Sequence, residues 1–131
     1  GTPLPTEVGF WRLTKYPENS DHGPGLLPGT GPKTITTHEQ LESLRNSDGG
    51  FDIEVSILHP SGISELYVGQ IKGARVDMAT DAVLRSQSAK EYRAARRMFG
   101  LVEGALLWAW DIAALGNPIA SHASARLERV Q

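Results

Sequence analysis

Apolar and polar residues alternate along several separate stretches of the chain, which is the pattern of half-buried β-strands. In 51–58, for example, Ile53, Val55 and Ile57 alternate with acidic or hydroxyl residues. The same pattern, bounded by turn residues, predicts seven strands, at 7–16, 51–58, 63–71, 75–84, 88–99, 105–113 and 119–130. Short strands joined in this way predict a mostly β protein, either a sandwich or an antiparallel up-and-down barrel.

The segment 88–99 carries two conflicting signals. It is rich in Ala, Lys, Glu and Arg, and it spaces Tyr92, Ala95 and Phe99 three and four residues apart, which by propensity alone favours a helix. We nevertheless predict that it is mostly strand, because a closed barrel needs this strand and pairing with neighbours overrides local propensity.

The chain between the first two strands, 18–50, reads as an exposed insertion. Its first part is dense in Gly and Pro and has no periodic apolar face. A threonine at 36 or 37 followed three residues later by Glu39 or Gln40 forms a capping-box pattern, which predicts one short helix ending near Arg45. Leu41 and Leu44 are the apolar residues that would anchor this helix.

Composition narrows the class of protein. With 131 residues and 40% apolar content, the chain can form one core, so we expect a single domain. A net charge of −2 gives no general attraction to nucleic acid, and the longest apolar run, 104–110, is too short to span a membrane. The absence of cysteine excludes disulfides and thiolate catalysis. Because no apolar signal segment lies near the start, we expect a cytoplasmic location.

Four segments, in the same order along the chain, resemble the nitrobindin family of haem proteins. The sequence LHPSGISELYVG at 58–69 is similar to the nitrobindin hairpin in which a His/Asn-Pro-Ser-Gly turn precedes Glu and then Val-Gly. The other three are EVGFWR at 7–12, SQSAKEYRAARR at 86–97 and the terminal SHASARL at 121–127. Together they cover nearly all of the chain outside 18–50.

This resemblance implies a fold, a cofactor and an activity. The fold is a ten-stranded antiparallel β-barrel of fatty-acid-binding-protein-like (calycin-type) architecture, and the cofactor is haem b with ferric iron. Nitrobindins bind nitric oxide and isomerise peroxynitrite to nitrate, with no catalytic residue required beyond the haem iron. Carried over by motif, His122 is the proximal iron ligand, and Lys90 is a candidate partner for a haem propionate.

The chain departs from the family at its N-terminal side. The haem motif Gly-x-Trp-x-Gly-x-Gly is absent, and seven predicted strands leave three of the family's ten unaccounted for. We therefore expect residues 1–131 to form a single barrel domain that lacks the family's N-terminal strands. Its edges would pair either with an N-terminal segment outside these residues or with a second copy in a homodimer.

Two further functions are compatible with the sequence. In the last strand, Ala123, Ala125 and Leu127 form the predicted core face, and His122 and Arg126 share the opposite parity. Arg126 or Lys90 could instead anchor the head group of a small apolar acid, which would make the protein a non-catalytic carrier. Alternatively, the insertion at 18–50 could bind a partner protein. The three tryptophans are predicted to be core residues.

Overall fold

Seven strands and one short helix make up the regular structure of residues 2, 6–14 and 35–130, which are the residues that this computed structural model describes. The elements are β1 (Val8–Leu13), α1 (His38–Glu42), β2 (Phe51–His59), β3 (Ile63–Lys72), β4 (Arg75–Arg85), β5 (Tyr92–Val102), β6 (Ala105–Ala114) and β7 (Ala120–Leu127). Each strand pairs antiparallel with the next along the chain, in one sheet. The predicted mostly β, up-and-down antiparallel fold is confirmed.

The stretch with conflicting signals is a strand. β5 starts at Tyr92, four residues later than predicted, and pairs along its length with β6 and, over its second half, with β4. Its side chains alternate between buried and exposed, with Ala95 and Arg97 buried and Arg96 and Met98 exposed. Pairing on both sides therefore overrides the helical propensity of these residues, as expected.

One face of the sheet is buried, and we call it the inner face. Its side chains include Ile53, Val55, Ile57, Ile63, Tyr67, Met78, Tyr92 and Ala95, with Phe99, Trp110 and Ile112 packed against them. The sheet curls around this face, because the ring of Trp11 on β1 meets the ring of Phe99 on β5, with centroids 5.5 Å apart, although the two strands are not neighbours. The opposite, outer face carries most of the charged side chains.

The helix of the insertion forms where the capping box predicts it. Thr37 is the N-cap, and its side chain and that of Gln40 bond to each other's backbone N–H groups. The helix ends at Glu42, earlier than the predicted end near Arg45, and Leu44 beyond it is buried. No helix among the described residues is long and apolar enough to cross a membrane. The Gly- and Pro-rich part of the insertion, up to residue 34, lies outside the described residues.

The two outermost strands of the sheet are β1 and β7. Each pairs with one neighbour, β1 with β2 and β7 with β6, and they do not pair with each other. Within the described residues the sheet is thus curled but open between these two edges.

Candidate functional site

A β-bulge in β7 decides which way His122 points. Trp110 of β6 pairs with Ala123, but the next residue, Asp111, pairs with Ser121, so that His122 is an extra residue in the ladder. An extra residue shifts the alternation of side chains, and bulges can re-aim a side chain in this way. His122 consequently points to the same side of the sheet as Ala123, the side of the inner face, although its side chain is exposed among the described residues. The parity predicted from the sequence, which put His122 on the opposite face, is therefore wrong.

The ring of His122 lies against Trp110, which is on the inner face of β6. The two ring centroids are 4.8 Å apart and the planes are nearly perpendicular, at 87°. Trp108, on the same face, lies 6.2 Å from Trp110. The neighbouring inner-face residues of β7, Ala123 and Ala125, are small and half-buried. The site thus combines one imidazole, two large flat rings and a strand with little side-chain bulk.

The polar atoms at this site, on His122 and Trp110, are compatible with a bound haem. Among the described residues, no hydrogen bond or ion pair involves His122, so its ring nitrogens are available for coordination. The indole Nε1 of Trp110 is buried and likewise has no hydrogen-bond partner within the described part of the chain. A buried N–H without an acceptor is costly, and an oxygen of a bound group would satisfy it. The residues present therefore fit haem, which needs a neutral imidazole for its iron and flat apolar walls.

A buried polar cluster lies behind Trp110 and is centred on Glu65, whose side chain is fully buried. The hydroxyls of Tyr67 and Tyr92 donate to Glu65 Oε1, at 2.6 and 2.5 Å. His59 Nε2 is in hydrogen-bond contact with Glu65 Oε2, at 2.6 Å. Burial and the bond to Glu65 raise the pKa of both tyrosines, which keeps them neutral donors. Every oxygen of this buried carboxylate therefore has a partner, as a buried charge requires.

Arg97 completes the cluster. Its side chain is 1% exposed and makes a two-pronged ion pair with Glu7, at 2.5 and 2.7 Å, while its Nε donates to the hydroxyl of Tyr67 at 3.1 Å. The hydrogen bond from Arg97 lowers the pKa of Glu7. The guanidinium also lies over the ring of Trp110, 4.3 Å from its centroid. The cluster is thus in direct contact with the residue that touches His122.

The structure does not bring Lys90 and His122 together. Lys90 is exposed and lies just before β5, whose first residue, Tyr92, pairs with Ala114 at the end of β6. His122 lies two strands away and roughly five residues further along, on the order of 17 Å in the strand direction. Arg126 pairs with Leu107, and its Nε lies 3.5 Å from the exposed Glu128. Arg126 is therefore on the outer face, away from the interior.

A large groove among the described residues lies away from His122. It has a volume of about 830 Å³ and lies on the outer face, where Arg75, Asp77, Arg96 and Asp111 contribute to its lining. These residues have the opposite parity to the core, and the groove is separated from His122 by the sheet itself. We assign the candidate site to the inner face because the imidazole and the tryptophans meet there.

Sequence reasoning missed the buried cluster. Arg97 belongs to a run of cations with Arg93 and Arg96, yet it is buried because its parity matches Ala95 and Phe99. His59, the last residue of β2, contacts Glu65 on β3. Its stacking on Trp110 was not foreseen, because that contact depends on the curl of the sheet. The one signal available in the sequence was the position of Glu65, which lies on the same side of β3 as buried apolar residues.

Comparisons with known proteins agree with a haem-binding site. Residues 1–129 match the family described as "THAP4-like, heme-binding beta-barrel domain". A protein named "Peroxynitrite isomerase" from Clavibacter michiganensis subsp. michiganensis is 58% identical over 98% of this chain, and one of the same name from Leifsonia xyli subsp. xyli is 58% identical over 99%. The chain covers 64% and 66% of those proteins, so it spans slightly less than two thirds of their length.

A solved structure supports the same assignment. The crystal structure of Rv2717c from M. tuberculosis superposes with a TM-score of 0.54 at 28% identity, over 61% of this chain and 54% of that one. The family match covers almost the whole chain, and the superposition shows that the fold is similar as well. The chain therefore belongs to the family of THAP4-like, heme-binding β-barrel domains.

Proposed function

We propose that this protein holds ferric haem b through His122 and isomerises peroxynitrite to nitrate. The observation that carries the proposal is the bulge in β7, which turns the imidazole of His122 onto the inner face beside Trp110. Relatives that are more than half identical to this chain carry the name of that activity. Binding of nitric oxide at the same site is part of the proposal.

The proposed reaction requires few functional groups from the polypeptide. Conversion of peroxynitrite to nitrate breaks an O–O bond and forms an N–O bond, with no net gain or loss of electrons, so no redox partner is needed. Ferric haem, when bound, would supply a Lewis-acidic iron that can take an oxygen of peroxynitrite. His122 would hold that iron through its imidazole. Trp110 and Trp108 would supply flat apolar walls on the side of His122, where Trp110 contacts the imidazole.

The buried cluster takes no part as acid or base in this scheme. Glu65 is saturated by three donors, and Arg97 is paired with Glu7. These groups bond to one another, and Trp110 contacts both Arg97 and His59. Their contribution is to hold the inner face of the sheet in place.

Three further features belong to the proposal. Lys90, exposed at the rim before β5, would attract a haem propionate by charge. The chain is proposed to form one barrel domain with the insertion 18–50, in which an N-terminal segment or a second copy covers the edges of β1 and β7. The protein is proposed to act in the cytoplasm.

The rival function, transport of an apolar acid, has Arg126 or Lys90 as its anchor, and Lys90 is exposed just before β5. Because Arg126 lies on the outer face and pairs with Glu128, it cannot meet a ligand held in the interior. No feature of the described residues favours the carrier over the haem protein.

A spectroscopic experiment tests the proposal. The whole natural protein is reconstituted with ferric haem, alongside His122→Ala and, as a matched control, the exposed His38→Ala. We expect a Soret band and accelerated nitrate formation from peroxynitrite in the natural protein and in His38→Ala, and the loss of both in His122→Ala. A His122→Ala protein that keeps its Soret band and its activity would show that another residue holds the iron.

A further inference from the structure

His122 lacks the support that orients most histidine ligands. A metal-bound histidine usually donates its second ring N–H to a carboxylate or carbonyl, which fixes the plane of the ring. Within the described residues, neither ring nitrogen of His122 has such a partner. Among the described residues, its ring contacts Trp110. Because the side chain of His122 is otherwise exposed, Trp110 is the described group that can restrict the orientation of its ring.

Trp110 is held by two flat groups. The imidazole of His59 stacks on it almost in parallel, at 9° between planes and 5.9 Å between centroids. The guanidinium of Arg97 lies 4.3 Å from the centroid of the indole. Both contacts favour one plane for the indole, because stacking and cation–π attraction are strongest over the ring face.

His59 is itself fixed in place. Its side chain is 11% exposed, and its Nε2 contacts the fully buried Glu65 at 2.6 Å. Glu65 is tied in turn to Tyr67 and Tyr92. An unbroken series of contacts thus runs from a buried carboxylate, through His59 and Trp110, to His122.

We propose that His59 is a positioning residue for His122, acting through the indole of Trp110. The inference rests on the proposed role of His122 as the iron ligand, and it deepens that role by naming what sets the plane of the ligand ring. His59 is not itself placed on the iron. The hydrogen bond to Glu65 holds His59, and the flat face of His59 holds Trp110.

Three variants of the whole natural protein separate stacking from hydrogen bonding. His59→Phe keeps a flat ring against Trp110 but loses the bond to Glu65. His59→Gln keeps a polar group for Glu65 but has no ring. His59→Ala loses both, and His38→Ala serves as a control on an exposed histidine. Any loss of stability from the unpaired Glu65 is shared by the Phe and Ala variants, so it cannot produce a difference between them.

The first readout needs no haem. The ring signals of His122 in the NMR spectrum, identified by their loss in His122→Ala, report the ring current of Trp110. We expect them to stay near their natural positions in His59→Phe and to shift in His59→Gln and His59→Ala. Unshifted signals in the Gln and Ala variants would overturn the proposal, as would an equal shift in His59→Phe. If His59→Ala does not fold, the comparison of Phe with Gln decides.

The second readout uses the ferric haem complex. Loss of an outer partner of a metal ligand typically weakens binding 10- to 100-fold. We expect roughly that loss of haem affinity, with changed anisotropy of the electron paramagnetic resonance signal, in the Gln and Ala variants, and near-natural values in His59→Phe. Haem binding that survives His122→Ala would refute only the proposal that His122 is the iron ligand. The NMR signals of the haem-free protein would still decide whether His59 positions His122.

Discussion

Glu7 and Arg97 form a two-pronged ion pair, with oxygen–nitrogen distances of 2.5 and 2.7 Å, across 90 residues of sequence. Glu7 immediately precedes β1, and Arg97 lies near the middle of β5. The pair therefore fastens the edge strand β1 to the centre of the sheet. It also neutralises a guanidinium that is almost completely buried.

The first prediction is that Glu7→Ala destabilises the protein well beyond an ordinary surface mutation. Arg97 would keep its buried charge without its nearer carboxylate, with Glu65 Oε2 still 3.7 Å away. We expect a loss of about 2 kcal/mol, less than for a fully buried pair because Glu7 is partly exposed. The control is Glu54→Ala, whose ion pair with Arg12 lies on the outer face, and which should cost no more than about 1 kcal/mol. Urea unfolding followed by tryptophan fluorescence measures both. Equal losses would contradict the prediction.

The second prediction concerns acid stability. Because Arg97 holds the pKa of Glu7 below 4.5, the unfolded chain takes up a proton at this position before the folded protein does. The contribution of Glu7 to stability is therefore present above pH 4.5 and is lost as the pH falls through the lower folded value. We expect the free energy of unfolding to fall less steeply with acidification in Glu7→Gln. Parallel curves for the two proteins below pH 4.5 would refute this.

The third prediction is that Glu65 is the most costly carboxylate to remove. Glu65→Ala leaves the buried donors of Tyr67, Tyr92 and His59 without their acceptor, at an expected cost of about 3 kcal/mol. Glu91→Ala, which removes only the exposed ion pair with Arg93, should cost no more than about 1 kcal/mol. Thermal and urea unfolding of both variants provide the comparison. A Glu65→Ala protein as stable as Glu91→Ala would show that the cluster contributes nothing net.

Much of the fold follows from local pattern. The alternation around Ile53 and Val55, and the glycines at the turns, predict the strands because an antiparallel sheet with one buried face imposes a period of two. The capping box at Thr37 predicts the helix for an equally local reason. Even β5 could be predicted, once the requirement for a paired strand was weighed against propensity.

The site depends on relationships that no single segment contains. The orientation of His122 follows from one extra residue in β7 relative to β6, which appears only when the two strands are paired. The burial of Arg97 depends on Glu7, 90 residues away, and on the curl that brings β1 towards β5. Family resemblance is the source of the proposal that His122 is the ligand residue, but the contacts around His122 could not be predicted from the sequence.

The fourth prediction tests the face on which the ligand lies. Ala125 pairs with Trp108 and faces inward, whereas its neighbour Ser124 pairs with Ala109 and faces outward. Ala125→Phe would fill the space beside the tryptophans, and we expect ferric haem affinity to fall about tenfold or more, in line with an overpacking cost of 1–3 kcal/mol. Ser124→Phe should leave affinity unchanged. The reverse order in a Soret titration would put the haem on the outer face.

The last prediction concerns the edges of the sheet. Every second residue of β1 and of β7 turns its backbone N–H and C=O groups away from the neighbouring strand, and β1 exposes Phe10 and Trp11 beside them. Such edges invite pairing with further polypeptide. We therefore expect the outward amides of β1 and β7 to be protected from hydrogen exchange in the whole natural protein and to exchange freely in the isolated segment 1–131 at high dilution.

Amides of β3, which is paired on both sides, should be protected in both samples and serve as the internal control. If the outward edge amides exchange equally fast in the two samples while β3 stays protected, the edges are uncovered and the proposed barrel closure is wrong. If they become protected in the segment only as its concentration rises, a second copy covers them.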